Sequence, residues 1–325
     1  MTEIVAADIG GSHARFALAE VADGRVVGLG EPFTLRTAEH VGLEAAWREF
    51  GSRLGRPLPK AAGIAVAAPP GGEILKFTNG PWTIRPASLE SDLGLDRHVL
   101  LNDFGAVAHA VAQLEGDHFR HLCGPEGPLP RQGVISIIGP GTGLGVALLL
   151  RRDGRYHVIE TEGGHMDFAP LDPLEDRMLD KLRTRHVRVS VERILSGMGL
   201  SNFYEALGAT EASSLPHRDE KALWAAALSG EDRLASAALD CFCLSLGAVA
   251  GDIALAHGAA AMVIAGGLGL RLADHLPQSG FRKRFVAKGR YEGRMEALPV
   301  RIITHPQPGL YGAAAAFAQH RAHGD

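Results

Sequence analysis

Cysteine is scarce: Cys123, Cys241 and Cys243 are the only three in 325 residues. Three thiols cannot build a disulfide framework in a chain this long, and they read as buried or free thiols in a reducing compartment. Cys241 and Cys243 stand two apart on what reads as a helix, so they point to different faces and make poor joint metal ligands. Long apolar runs are missing as well. The most apolar stretch, Leu244 to Leu255, carries Ser245 and Asp252 and is too short to cross a bilayer. Thr2, Glu3 and Asp8 break the pattern of a secretory signal, so the expected location is the cytoplasm. Nor does one sign of charge dominate: the formal net charge is -4. Neither a nucleic acid nor an anionic membrane is therefore expected as a partner. Phosphate binding, if it occurs, has to come from local backbone geometry.

What is present is an ordinary globular composition, 46% hydrophobic and 22% charged, in a chain long enough for about two lobes. Ile4 to Ile9 and Ala14 to Ala19 read as a strand pair around Gly10-Gly11. Leu43, Ala46, Trp47, Phe50 and Leu54 trace one apolar helix face. Gly63 to Ala67 reads as a buried strand stopped by Pro69-Pro70. Val99 to Leu101 reads as a strand running through Asn102-Asp103 into a helix from Ala106 to Leu114. That arrangement puts reactive groups at the C-terminal edge of a sheet. The Gly- and Pro-rich segment from Gly124 to Arg131 marks the neighbourhood of a domain boundary. Beyond it the strand, glycine turn, strand layout returns: Val134 to Ile138, Gly139 to Gly145, Val146 to Leu150. Later come helices near Pro173 to Arg183 and Leu234 to His257, a strand from Met262 to Ala265, a last strand from Val300 to Thr304, and a small-residue helix from Leu310 to Gln319.

Three glycine-rich turns are candidates for holding phosphate or nucleotide. In Asp8-Ile9-Gly10-Gly11-Ser12, glycine permits positive φ and admits an anion close to backbone N–H groups; the alternative is an ordinary hairpin turn. Gly139-Pro140-Gly141-Thr142-Gly143-Leu144-Gly145 has more glycine than a hairpin needs, and Thr142 adds a hydroxyl. It is neither a P-loop nor a dinucleotide fingerprint, because a strand follows where each needs a helix. Gly266-Gly267 follows a strand and precedes a helix, where it could admit adenine or ribose, or serve as a tight turn.

The polar candidates suit a sugar, whose hydroxyls both donate and accept. They are Asn102 and Asp103 at a strand end, Glu162 and His165 in Glu162-Gly163-Gly164-His165, and Glu192 before Arg193-Ile194-Leu195-Ser196-Gly197. Asn102 could equally be a helix cap, Glu162 a solvent-facing carboxylate and His165 a core histidine. Two aspartates compete as base. Asp8 lies beside a presumed phosphate turn and suits a role around Mg²⁺, through water. Asp103 lies away from the glycines and is the better group to take a proton from a hydroxyl.

These residues, in this order and spacing over nearly the whole chain, resemble the bacterial ATP-dependent glucokinase family of the sugar kinase, Hsp70 and actin superfamily. The match runs through Asp8 to Phe16, Leu101-Asn102-Asp103-Phe104, Gly139 to Gly145, Glu162 to His165 and Glu192 to Gly197. The resemblance implies an α/β, two-lobed hexokinase-like fold (ribonuclease H-like, actin-like ATPase) with an interdomain cleft that closes over sugar. It implies a small domain over residues 1–113, completed by a C-terminal helix over 308–325, and a large domain over 114–307. It implies ATP, Mg²⁺ and transfer of a phosphoryl group to the glucose 6-hydroxyl. Asn102, Asp103, Glu162, His165 and Glu192 match the family's sugar contacts, Asp103 matches its general base, and Asn79 resembles a further sugar contact. Asp8, Gly10, Gly11 and Ser12, then Gly139, Gly141, Thr142 and Gly143, and finally Gly266 and Gly267 match its nucleotide side. A homodimer is implied too.

The chain departs from the family at Ser12-His13, where Thr-Asn is usual, at Gly269-Leu270 in place of Val-Pro, and at Met198 in place of proline. No cysteine lies between His165 and Cys241, so the structural zinc of related sugar kinases and repressors is not expected. The rival readings are a kinase for another hexose or several, and a non-catalytic sugar sensor.

Overall fold

The computed structural model describes residues 1–68, 72–77, 80, 82–210 and 218–323. Asn79, Thr78 and the Pro69-Pro70 strand stop lie outside the described residues. The chain divides into two compact units. The first comprises Met1–Glu115, Val158–Glu160 and His305–Asp325; the second comprises Gly116–His157 and Thr161–Thr304.

The first unit contains strands β1 (Thr2–Ile9), β2 (His13–Ala22), β3 (Arg25–Leu29), β4 (Phe33–Arg36), β5 (Ala61–Val66), β6 (Leu75–Lys76), β7 (Thr83–Ile84) and β8 (Arg97–Asn102). Its main sheet runs β3-β2-β1-β5-β8, with β4 also on β2 and the short β6-β7 pair separate. β1 pairs antiparallel with β2 and parallel with β5, which pairs parallel with β8. Alternation along β1 sends Val5, Ala7 and Ile9 to one face, where Trp47 and Phe50 of the helix Leu43–Leu54 cover them. Ile4 and Ala6 go to the other face, under Leu310, Ala314 and Phe317 of the helix Pro308–His323. That last helix lies so close that a Cβ on Gly63 of β5 would overlap the Ala313 carbonyl, and one on Gly312 would overlap the Ala106 carbonyl. Its run of glycine and alanine is what permits the approach.

The second unit contains β9 (Phe119–Cys123), β10 (Gly133–Pro140), β11 (Leu144–Arg152), β12 (Arg155–Thr161), β13 (Ala261–Ile264) and β14 (Val300–Ile303). Its sheet runs β12-β11-β10-β13-β14-β9. The first five positions repeat the order of the first sheet, including an antiparallel hairpin followed by two parallel neighbours. β9 is an addition, antiparallel to β14. The core is built on Ile138, Val146, Met262, Ile264 and Val300, against helices that include Pro173–Arg183, Gly199–Thr210, Glu220–Ser229 and Arg233–Ala256. Trp224 meets Phe242 edge-on at 5.2 Å. Helix Arg233–Ala256 is 24 residues long and apolar enough to cross a membrane by composition, but 72% of its most apolar window is buried in the core. Asp232 caps its start, accepting the N–H groups of Leu234 (2.9 Å) and Ala235 (3.0 Å). The glycine-rich segment 124–131 is tied down from an unexpected place. Arg301, buried on β14, donates to the carbonyls of Pro125 and Gly127, both at 2.8 Å.

Candidate active site

In the first unit the parallel register sets Ile9, Val66 and Asn102 in one row, so the ends of β1, β5 and β8 share one sheet edge. Gly10, Gly11 and Ser12 form the turn at that edge, closed by the Gly10 N–H donating to the His13 carbonyl at 2.9 Å. Thr37 pins the turn from outside: its hydroxyl donates to the Gly11 carbonyl at 2.6 Å, and its N–H donates to the Ser12 carbonyl at 3.1 Å. The Trp82 indole N–H in turn donates to the carbonyls of Thr37 (3.0 Å) and His40 (2.9 Å). His13 opens β2 with its side chain exposed, so it does not enter the hairpin packing.

Asp8 lies opposite Arg15 in the hairpin register and pairs with it at 3.3 Å. Its side chain is 19% exposed. Burial pushes its carboxyl above the ordinary value of 3.8, and the Arg15 guanidinium opposes that rise. By alternation Asp8 belongs to the face that helix Pro308–His323 covers. A Cβ on Gly309, in the first turn of that helix, would stand 2.6 Å from Asp8 Oδ2. Asp8 therefore lies against the first turn of that helix.

At the end of β8, Asn102 caps the helix Asp103–Gln113, its Oδ1 accepting the N–H groups of Phe104 (2.8 Å) and Gly105 (3.3 Å). The Asn102 N–H donates to Glu160 Oε1 at 2.8 Å. Capping fixes the backbone at the first helical residue, Asp103, whose Oδ1 also accepts the Phe104 N–H at 2.8 Å. The helix begins at Asp103 rather than Ala106, because the asparagine starts it three residues early.

The second unit gathers the other candidates. Pro140 and Leu144 end β10 and begin β11, so the turn proper is Gly141-Thr142-Gly143. Gly266 packs on this turn; a Cβ there would lie 2.5 Å from the Pro140 carbonyl oxygen, and its φ is +77°. Gly164 packs on Leu144 of β11, and its Cβ would overlap the Leu144 carbonyl. The segments 166–168 and 189–191 are joined by the Val191 N–H to the Met166 carbonyl (2.8 Å) and the Phe168 N–H to the Val189 carbonyl (3.1 Å). That zipper brings the short helix Gly163–His165 alongside the short helix Val191–Arg193. Glu162 and His165 face each other at 3.9 Å, with side chains 58% and 57% exposed. So exposed a pair contributes little to stability, which leaves both groups accessible to a ligand. Glu192 Oε2 accepts the Leu144 N–H at 3.0 Å.

Two expectations change. Positive φ does not explain the glycines of the first two turns: Gly10, Gly11, Gly139, Gly141 and Gly143 all lie outside the left-handed region, and only Gly266 of the candidate set is in it. His165 is not a core histidine but an exposed one. Sequence reading missed Thr37, Glu160 and Gly309, which touch the candidate residues from distant segments, and the pairing of Arg15 with Asp8 across the hairpin. Only Gly309, in a helix otherwise rich in alanine, carries a visible signal.

A family model described as Glucokinase matches residues 5–320. A curated relative named Glucokinase, from Zymomonas mobilis subsp. mobilis, is 63% identical over 316 residues, covering 97% of this chain and 98% of its own length. A solved glucokinase from an Antarctic psychrotroph superposes with a TM-score of 0.83 at 32% identity, covering 98% of this chain and 99% of that one. A ROK family glucokinase from Streptomyces griseus, solved with glucose and AMPPNP, shares the fold at 21% identity, with a TM-score of 0.64 and coverage of 97% and 98%.

Proposed function

Because the chain belongs to the glucokinase family, with an α/β fold of the actin-like ATPase type, we propose that it transfers the γ-phosphoryl group of ATP to the 6-hydroxyl of D-glucose. The products are glucose 6-phosphate and ADP. The observation that carries the reading is the shared sheet edge, which sets the Gly10–Ser12 turn and the capped Asn102-Asp103 pair at the ends of parallel strands.

Asp103 accepts the proton of the 6-hydroxyl as the phosphoryl group moves. Asn102, Glu162, His165 and Glu192 hold the sugar, and Asn79 is a further sugar contact. The turns at Gly10, Gly11 and Ser12 and at Gly139, Gly141, Thr142 and Gly143 offer backbone N–H groups to the phosphates, and Gly266 and Gly267 adjoin the nucleoside. Positioning and charge stabilisation contribute most of the rate in this chemistry.

The donor set suits magnesium, which binds through one or two carboxylates and completes its shell with water and phosphate oxygens. Asp8 offers one carboxylate beside the turn, and among the described residues no three His, Cys, Asp or Glu side chains cluster as a closed metal site would. When bound, magnesium neutralises charge on the phosphates. The two units correspond to the family's small and large domains, and the family's homodimeric, cytoplasmic state extends to this chain.

A coupled assay with glucose and Mg-ATP tests the activity. ADP release that depends on glucose is expected, with kcat on the order of 1–10³ per second, and kcat/KM for glucose above that for mannose, fructose or glucosamine. Sugar binding without ADP release would leave a sensor as the answer. A second test concerns Asp8. Gly309→Ala is expected to displace its carboxylate and raise the KM for Mg-ATP about 10-fold, one missing charge-assisted contact, with the Kd for glucose unchanged. An unchanged KM would show that Asp8 tolerates the extra methyl.

A further inference from the structure

We propose that Gly143 is a positioning residue for the carboxylate of Glu192, so that one glycine of the Gly141–Gly143 turn serves the sugar. The inference rests on the reading of Glu192 as a sugar contact. Gly143 has no need of glycine for its backbone, since its φ lies outside the left-handed region. What it lacks room for is a side chain. The place of its Cβ is occupied by Glu192 Oε2, with Cδ at 3.2 Å.

Its neighbours in the turns differ. A Cβ on Gly141 would meet only the Gly143 carbonyl oxygen, at 4.0 Å, and one on Gly10 only the His13 carbonyl oxygen, at 3.5 Å. Both are ordinary contacts. Gly141 and Gly10 therefore stand open, as a phosphate cradle requires, whereas Gly143 is filled from the sugar side.

Two struts join the turn to the segment that carries Glu192. The Leu144 N–H donates to Glu192 Oε2 at 3.0 Å, and the Gly197 N–H donates to the Gly141 carbonyl at 2.9 Å. The second fixes the distance between the segments; the first orients the carboxylate. A methyl group at position 143 collides with Oε2 itself, so the carboxylate must swing away and the Leu144 bond must break. The backbone N–H groups of the turn are expected to keep their places, because the φ of Gly143 lies outside the left-handed region that alanine resists.

The test is calorimetric titration of the full chain with glucose and, separately, with Mg-ADP, on wild type, Gly143→Ala, Glu192→Ala and the double variant. Gly143→Ala is expected to weaken glucose about 10-fold or more, the loss of a charge-assisted hydrogen bond, while ADP affinity stays within about 2-fold, the spread of a surface-neutral change. The double variant is expected to bind glucose no worse than Glu192→Ala, because the collision has no second partner. Losses that add, or an ADP affinity that falls as far as the glucose affinity, overturn the proposal. If Glu192→Ala weakens glucose and Gly143→Ala does not, the proposal alone fails. If Glu192→Ala leaves glucose unchanged, the sugar role of Glu192 fails and takes the proposal with it. Should Gly143→Ala not fold, the double variant is expected to fold again; an unfolded double variant also overturns the proposal.

Discussion

Asp103→Asn is expected to lower kcat by about 10²–10⁴-fold, the usual contribution of a general base, while the Kd for glucose rises only a few-fold. The amide keeps the shape of the carboxylate and can still meet a sugar hydroxyl, but it cannot take a proton at neutral pH. The substitution is gentle on the fold, because Asn102 and not Asp103 supplies the cap of the helix Asp103–Gln113. Melting temperature should therefore stay near that of wild type, which separates a chemical defect from an unfolded one. Glucose binding by calorimetry and turnover by a coupled assay give the two numbers. Turnover within a few-fold of wild type would transfer the base to another group.

Asp8→Asn is expected to show the opposite signs for activity and stability. Burial raises the Asp8 carboxyl above its ordinary value, with Arg15 only partly offsetting it. The folded chain thus binds that proton more tightly than the unfolded chain does. For an acid displaced this way, the stabilising contribution is full below the unfolded pKa and is lost as pH rises through the higher folded value. At neutral pH the ionised Asp8 is a net burden on the ligand-free fold. Asparagine removes the buried charge, and Arg15, on the surface side of the pair with its side chain 37% exposed, can turn to water. The melting temperature of the ligand-free variant should rise at pH 7 and match wild type at acid pH. Its kcat should fall by about 10²-fold or more, the scale of losing one preorganised charge from phosphoryl transfer. Thermal melts at two pH values, together with turnover across a magnesium series, check both halves. A melting temperature below wild type at pH 7 would contradict the stability argument.

These two aspartates show what kinds of information a sequence carries. Strand, asparagine, aspartate, helix could be read at Val99 to Leu114 because the cap and the strand end are adjacent in the chain. Both glycine hairpins were legible for the same reason, and the helix Leu43–Leu54 followed from its apolar spacing. The causes of the glycines were not legible. Gly143 and Gly309 give room to Glu192 and Asp8, which come from other parts of the chain, and no local pattern announces a partner so distant. Thr37 looks like any loop threonine until the hairpin turn lies over it. β9 was hidden because Arg120 and His121 break its apolar alternation. The helices Phe281–Val286 and Glu292–Glu296 are too short to show a period at all.

The helix Pro308–His323 roofs a sheet face whose strands β1 and β2 lie ahead of the whole second unit in the chain. On the ribosome, Ile4, Ala6, Ala17 and Ala19 wait uncovered while every residue of the second unit is made. The second unit, whose segments are complete at Thr304, is therefore made in full before the first can close. For that interval the early sheet presents an apolar surface to its surroundings, the kind of exposure against which chaperones act.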